Sequence, residues 1–144
     1  MLHIHGTRDP FWLYQGGSNG KVGFTGKHVS VCESVHGTGH CPSGEQTGER
    51  AFPGMLATNG CTAPGALRQL PNTAVDLTIS YRQSAVGCPP GAAVELIKVI
   101  GGGHTWPGGW QYAPVIGSLL GIGRTSRDFS ANKTIISFFN EQTR

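Results

Sequence analysis

Seven residues, Val94-Glu95-Leu96-Ile97-Lys98-Val99-Ile100, are apolar on nearly both faces and stop at Gly101-Gly102-Gly103. A strand of that kind has to be covered on both sides, which is the situation of a buried strand in an α/β sheet. The rest of the chain is read around it. Leu2-His3-Ile4-His5-Gly6 alternates apolar and polar residues and runs into Thr7-Arg8-Asp9-Pro10, a strand ending in a turn. Val75 to Tyr81 alternates with period two and is rich in β-formers, which predicts a strand with one solvated face. From Ser130 to Gln142, Ala131, Ile135, Phe138 and Phe139 recur at helical spacing behind Asp128 or Ser130 as N-cap, so an amphipathic helix closes the chain. Its apolar stripe needs a sheet to cover.

Between these elements the composition favours loops. The 144 residues include 23 glycines and 9 prolines, close to twice average usage. They crowd into residues 15–27 and 36–54, too densely for a helix or a central strand. The net charge of +3 comes from scattered residues without runs, so neither a nucleic-acid stripe nor a polybasic membrane anchor is expected. The longest weakly polar stretch, 113–123, is about half of what a membrane span needs and is broken by Pro114, Gly117 and Gly121. No phosphate-binding or dinucleotide-binding glycine motif occurs. Four cysteines in a charge-poor, glycine-rich chain suggest an exported protein. Met1 nevertheless opens directly on Leu-His-Ile-His with no signal peptide. The two readings agree if Met1 is not the natural start of the fold.

Asp9 and His104 stand at equivalent places, each just past the C-terminal end of an apolar strand. Ligands and catalytic groups collect at that edge of an open α/β sheet. A carboxylate that accepts the Nδ1–H of an imidazole fixes its tautomer and stabilises the imidazolium formed when Nε2 takes a proton. Three glycines before His104 allow the sharp turn that brings the ring out. Taken singly, Asp9 also fits an ordinary turn aspartate before proline, and His104 a structural histidine in a glycine loop. Cys32 and Cys41 flank His36 and His40, which are metal-ligand types, but the spacing does not match the common zinc patterns. A second disulfide between Cys32 and Cys41 is the other reading, and both stay open. Gly16-Gly17-Ser18-Asn19-Gly20 satisfies G-x-S-x-G, yet the KVGFTGKH that follows is too glycine-rich to open the helix an elbow needs, so Ser18 reads as a loop residue.

HGTRDP (5–10), Asn59-Gly60-Cys61, Cys88, the GGGHTWPGG run (101–109) and SRDFSANKTIISFF (126–139) together resemble the C-terminal part of the polyhydroxybutyrate-depolymerase and feruloyl-esterase-like α/β-hydrolases. These are secreted serine esterases, related also to acetylxylan esterases. The resemblance implies the C-terminal portion of an α/β-hydrolase three-layer sandwich with an incomplete sheet, residues 1–144 forming part of one catalytic domain. It makes Asp9 the triad acid and His104 the general base. It also pairs Cys61 with Cys88, a loop closure that stabilises by about 3 kcal/mol in the chain-entropy model. Residues 32–54 depart from the family pattern, where a helix with an apolar stripe would lead into the NGC turn, and are expected to be a loop insertion.

In α/β-hydrolases the order is Ser, then acid, then His, so the nucleophile elbow and oxyanion loop belong ahead of Asp9. The 144 residues alone are therefore expected to be inactive and to need the N-terminal part of the domain. Trp106, Trp110 and Tyr112 either form an aromatic wall for substrate or pack the His104 loop. Asn132-Lys133-Thr134 is a glycosylation sequon, meaningful only in a eukaryotic secretory host. The implied substrate is an ester, either a polyester or an acylated plant polysaccharide, with no cofactor, metal, nucleic-acid or membrane partner. The implied location is extracellular. A catalytically inactive remnant, or a small polymer- or carbohydrate-binding module, is the alternative.

Overall fold

The computed structural model describes residues 1–10, 14, 48–111 and 122–142. Within them are four strands, β1 (Leu2–Gly6), β2 (Ala63–Gln69), β3 (Ile79–Val86) and β4 (Glu95–Ile100), and two helices, α1 (Gly48–Thr58) and α2 (Ala131–Gln142). The strands form one mixed sheet in the order β1-β4-β3-β2. β1 runs parallel to β4, with Ile4 opposite Ile97 and His5 opposite Lys98, whereas β3 is antiparallel to both β4 and β2. The architecture is α/β-like.

β4 is an inner strand, as its sequence demands. Val94, Leu96, Ile97 and Val99 are all buried, and β1 and β3 flank them. Leu96 packs with Phe52, Met55 and Leu56 of α1 in one core cluster. Leu2 and Ile4 instead share a groove with Ala131, Ile135 and Phe139 of α2. Because successive side chains on a strand alternate faces, and His3 lies opposite Leu96, α1 and α2 cover opposite faces of the sheet.

Two expectations change, and one strand comes that the sequence did not announce. Residues 48–54, taken from their glycine and proline content as part of the 32–54 loop insertion, belong to α1. The helix forms because Phe52, Met55 and Leu56 place one buried stripe on the sheet, and packing outweighs the penalty of Pro53 within the helix. The strand expected over Val75–Tyr81 starts only at Ile79. Asp76 turns the backbone ahead of it by accepting hydrogen bonds from the Thr78 amide and hydroxyl, and Leu77 between them has a φ of 60°. Finally, β2 carries no alternation that would have announced it; it is an exposed strand bearing Pro64 and Gly65, with a register shift between Pro64 and Leu67. Ser18, Cys32, His36, His40, Cys41 and Tyr112 lie outside the described residues, as do the loop expected over 15–27 and residues 36–47 of that expected over 36–54.

The Asn59-Gly60-Cys61 turn has a clear structural job. The Gly60 amide donates to Ala57 O and the Cys61 amide to Leu56 O, at 3.2 and 2.9 Å, which closes α1 in a Schellman motif. Gly60 occupies the left-handed position, at φ 68°. The capped helix hands Cys61 to Cys88, to which it is disulfide-bonded.

Candidate active site

The parallel pairing of β1 and β4 brings both strands' C-terminal ends to the same edge of the sheet. The turn after β1 is stitched to the loop after β4. The Thr7 amide donates to Val99 O, the Arg8 amide to Gly102 O, and the Gly101 amide to the Thr7 hydroxyl, all within 3.0 Å. The approach is close enough that a Cβ on Gly6 would lie 2.4 Å from Gly102 O, so only glycine fits at the end of β1. On its other side the His104 loop is held by residues 122–124, through Gly103 N–H to Arg124 O and His104 N–H to Ile122 O.

At this junction His104 Nδ1 lies 2.9 Å from Asp9 Oδ2. Asp9 is buried at 6% exposure, and the His104 side chain is 41% exposed. An ionised carboxylate can only accept, so Nδ1 carries the proton and Nε2 is the basic nitrogen of the neutral ring. A second imidazole approaches the same carboxylate: His5 Nε2 lies 3.7 Å from Asp9 Oδ2. Behind it, His3 Nε2 faces His5 Nδ1 at 3.3 Å. Burial, with a smaller contribution from His5, lowers the His3 pKa to about 4. The buried Tyr14 packs edge-on against His5, and Lys98 Nζ stands 5.0 Å over the Tyr14 ring.

Trp106 is 55% exposed; its indole N–H donates to Asn132 Oδ1 on the first turn of α2, and it lines the groove of about 330 Å³ with Leu2, Ile4 and Phe139. Trp110 is 91% exposed. Next to Trp110 in sequence, Gln111 bridges the 123–125 backbone by accepting from Thr125 N–H and donating to Gly123 O. Among the described residues no group of three or more His, Cys, Asp or Glu side chains is arranged to hold a metal, and no helix is long and apolar enough to cross a membrane.

Sequence reasoning reached Asp9 and His104 through their strand-end positions but passed over His3 and His5. The available signal was their spacing, since residues two apart on a strand share a face.

No family model matches the sequence, and no solved structure matches it. Among curated proteins it is 30% identical over 149 residues to "Putative esterase NocK" of Nocardia uniformis subsp. tsuyamanensis, the match covering 96% of this chain and 36% of that protein. The chain thus spans little more than a third of the length of the relative it matches, and the relationship is esterase-like.

Proposed function

We propose that this esterase-like chain carries the acid and base of a serine carboxylesterase, Asp9 holding His104 as general base. The observation that carries the reading is the 2.9 Å contact between His104 Nδ1 and Asp9 Oδ2, made by residues 95 positions apart at the ends of two parallel strands. In this proposal a serine ahead of Asp9 in chain order attacks the ester carbonyl while His104 Nε2 takes its proton. The imidazolium, stabilised by Asp9, then protonates the departing alkoxide, and the same base activates water to release the acid from the acyl-enzyme. No cofactor or metal enters the scheme.

For substrate we infer a polyester such as polyhydroxybutyrate, or a feruloyl or acetyl ester on plant polysaccharide, cleaved outside the cell. The resemblance of GGGHTWPGG and HGTRDP to secreted depolymerases and feruloyl esterases supports it, as do the exposed indoles of Trp106 and Trp110 on the His104 loop. A binding module without turnover would account for the indoles but leaves the Asp9–His104 contact without a role. The test is hydrolysis of a short-chain p-nitrophenyl ester by the full-length protein. Asp9→Asn and His104→Ala are each expected to lower kcat by on the order of a thousandfold or more with the fold intact, and an unchanged rate in either ends the proposal. Trp110→Ala is expected to raise KM on the polymeric substrate while leaving kcat on the small ester unaltered.

A further inference from the structure

We propose that His5 is a positioning residue for the Asp9–His104 pair: held by His3 as its Nε2–H tautomer, it aims that N–H at Asp9 Oδ2 and fixes the carboxylate that orients His104. The inference builds on the catalytic reading of Asp9 and His104, but its geometry stands apart from it. The four side chains form one line, with 3.3 Å from His3 Nε2 to His5 Nδ1, 3.7 Å from His5 Nε2 to Asp9 Oδ2, and 2.9 Å from Asp9 Oδ2 to His104 Nδ1. Only one proton arrangement satisfies every neutral ring along it. An N–H must point at the carboxylate from each side, so His5 carries its proton on Nε2, and its Nδ1 then accepts from His3 Nε2–H.

The surroundings hold this order in place. His3 stays neutral to about pH 4, so at neutral pH it is a single-proton donor to His5. Among the described residues, the titratable and charged groups around His5 include His3 on its own strand, Asp9 in the turn that follows, Tyr14 edge-on to its ring, and Lys98 on β4, which lies opposite His5 in register and over the Tyr14 ring. His104 faces Asp9 from the loop after β4. His5 and Asp9 are both buried, and a carboxylate there is held best when more than one N–H is directed at it. Hydrogen bonds at resting sites are often long, as the 3.7 Å approach of His5 is, and tighten in the substrate complex.

Long-range proton–nitrogen NMR of the imidazole rings in the 144-residue chain tests the arrangement without requiring turnover. His5 is expected as the Nε2–H tautomer at neutral pH, and an Nδ1–H tautomer overturns the proposal whether or not any variant folds. His5→Phe removes the N–H that His5 directs at Asp9 Oδ2, so more of the carboxylate's charge bears on His104. The His104 titration midpoint should then rise by roughly half a pH unit, and His5→Gln, whose amide N–H reaches the same point, should bring it back. A midpoint unmoved in a folded His5→Phe protein overturns the proposal as well. Failure of the esterase reading would show separately, as undiminished ester hydrolysis by Asp9→Asn, whatever the tautomer of His5.

Discussion

His3 links the site to the stability of the molecule. In the folded chain its pKa is lowered to about 4, chiefly by burial and secondarily by His5, whereas in the unfolded chain the ring titrates near its ordinary value of about 6.5. Between those limits the unfolded state binds more protons, so stability is full above the upper value and falls as pH drops toward the lower one. The displacement corresponds to about 3 kcal/mol. Urea midpoints should therefore decline from pH 7 to pH 4, and His3→Gln, which keeps a donor toward His5 but does not titrate, should flatten that decline. Equal slopes in the two proteins would contradict the assignment. At this scale the Asp9–His104 pair was readable because strand ends followed by Asp or His imply a place at the sheet edge. The two histidines behind it were not. The alternation of LHIHG says that His3 and His5 share a face, but only the parallel register with β4 shows that the turn folds Asp9 back over His5.

Elements in this chain are ended and joined by a few polar side chains. Ser130 is the N-cap of α2, its hydroxyl accepting from the Lys133 amide. Asp128, the other candidate cap, accepts from the Thr73 and Ala74 amides and ties the β2–β3 connection to the segment before the helix. Asp76 makes the matching bond in the other direction, accepting from the Arg127 amide as well as from Thr78. Burial pushes its pKa upward, but the bonds from Arg127 and Thr78, with the charge of Arg127, outweigh that and hold it below the usual range. Asp76→Ala should cost about 1–3 kcal/mol in chemical denaturation, and the loss should shrink as acid protonates the wild-type carboxylate; a variant as stable as wild type would refute the clasp. Gly60→Ala, forced to φ 68° at the end of α1, should cost about 1 kcal/mol. The elements legible beforehand were β1 and α2, each with one dominant period, and β4, a continuous apolar run. α1 was hidden because glycine and proline at 48, 53 and 54 surround the buried Phe52, Met55 and Leu56, and β2 because its side chains are largely exposed and so leave no burial pattern in the sequence.

Across the whole molecule the two constraints sit at opposite ends of the sheet. Asp9 and His104 follow the C-terminal ends of β1 and β4, whereas Cys61 and Cys88 lie beyond the end of β3 that pairs with the start of β4. A strand of six residues separates them, roughly 20 Å at the usual rise. The disulfide closes a loop with a sequence separation of 27 that contains β2 and β3 and fastens the end of α1 to the turn after β3. The site is fastened instead by backbone hydrogen bonds among residues 6–9, 99–104 and 122–124. Stability and site geometry should therefore separate on reduction. Loss of the disulfide is expected to lower unfolding free energy by about 3 kcal/mol. It should speed amide exchange first in α1, its cap and β2, where strand exposure is greatest. The amides of Ile97 and Val99, buried in the inner strand, should remain the slowest, and the His104 titration should keep its oxidised midpoint. A reduced, still folded protein whose His104 midpoint moves would show that the disulfide supports the site directly, and that the two ends of the sheet are one cooperative unit.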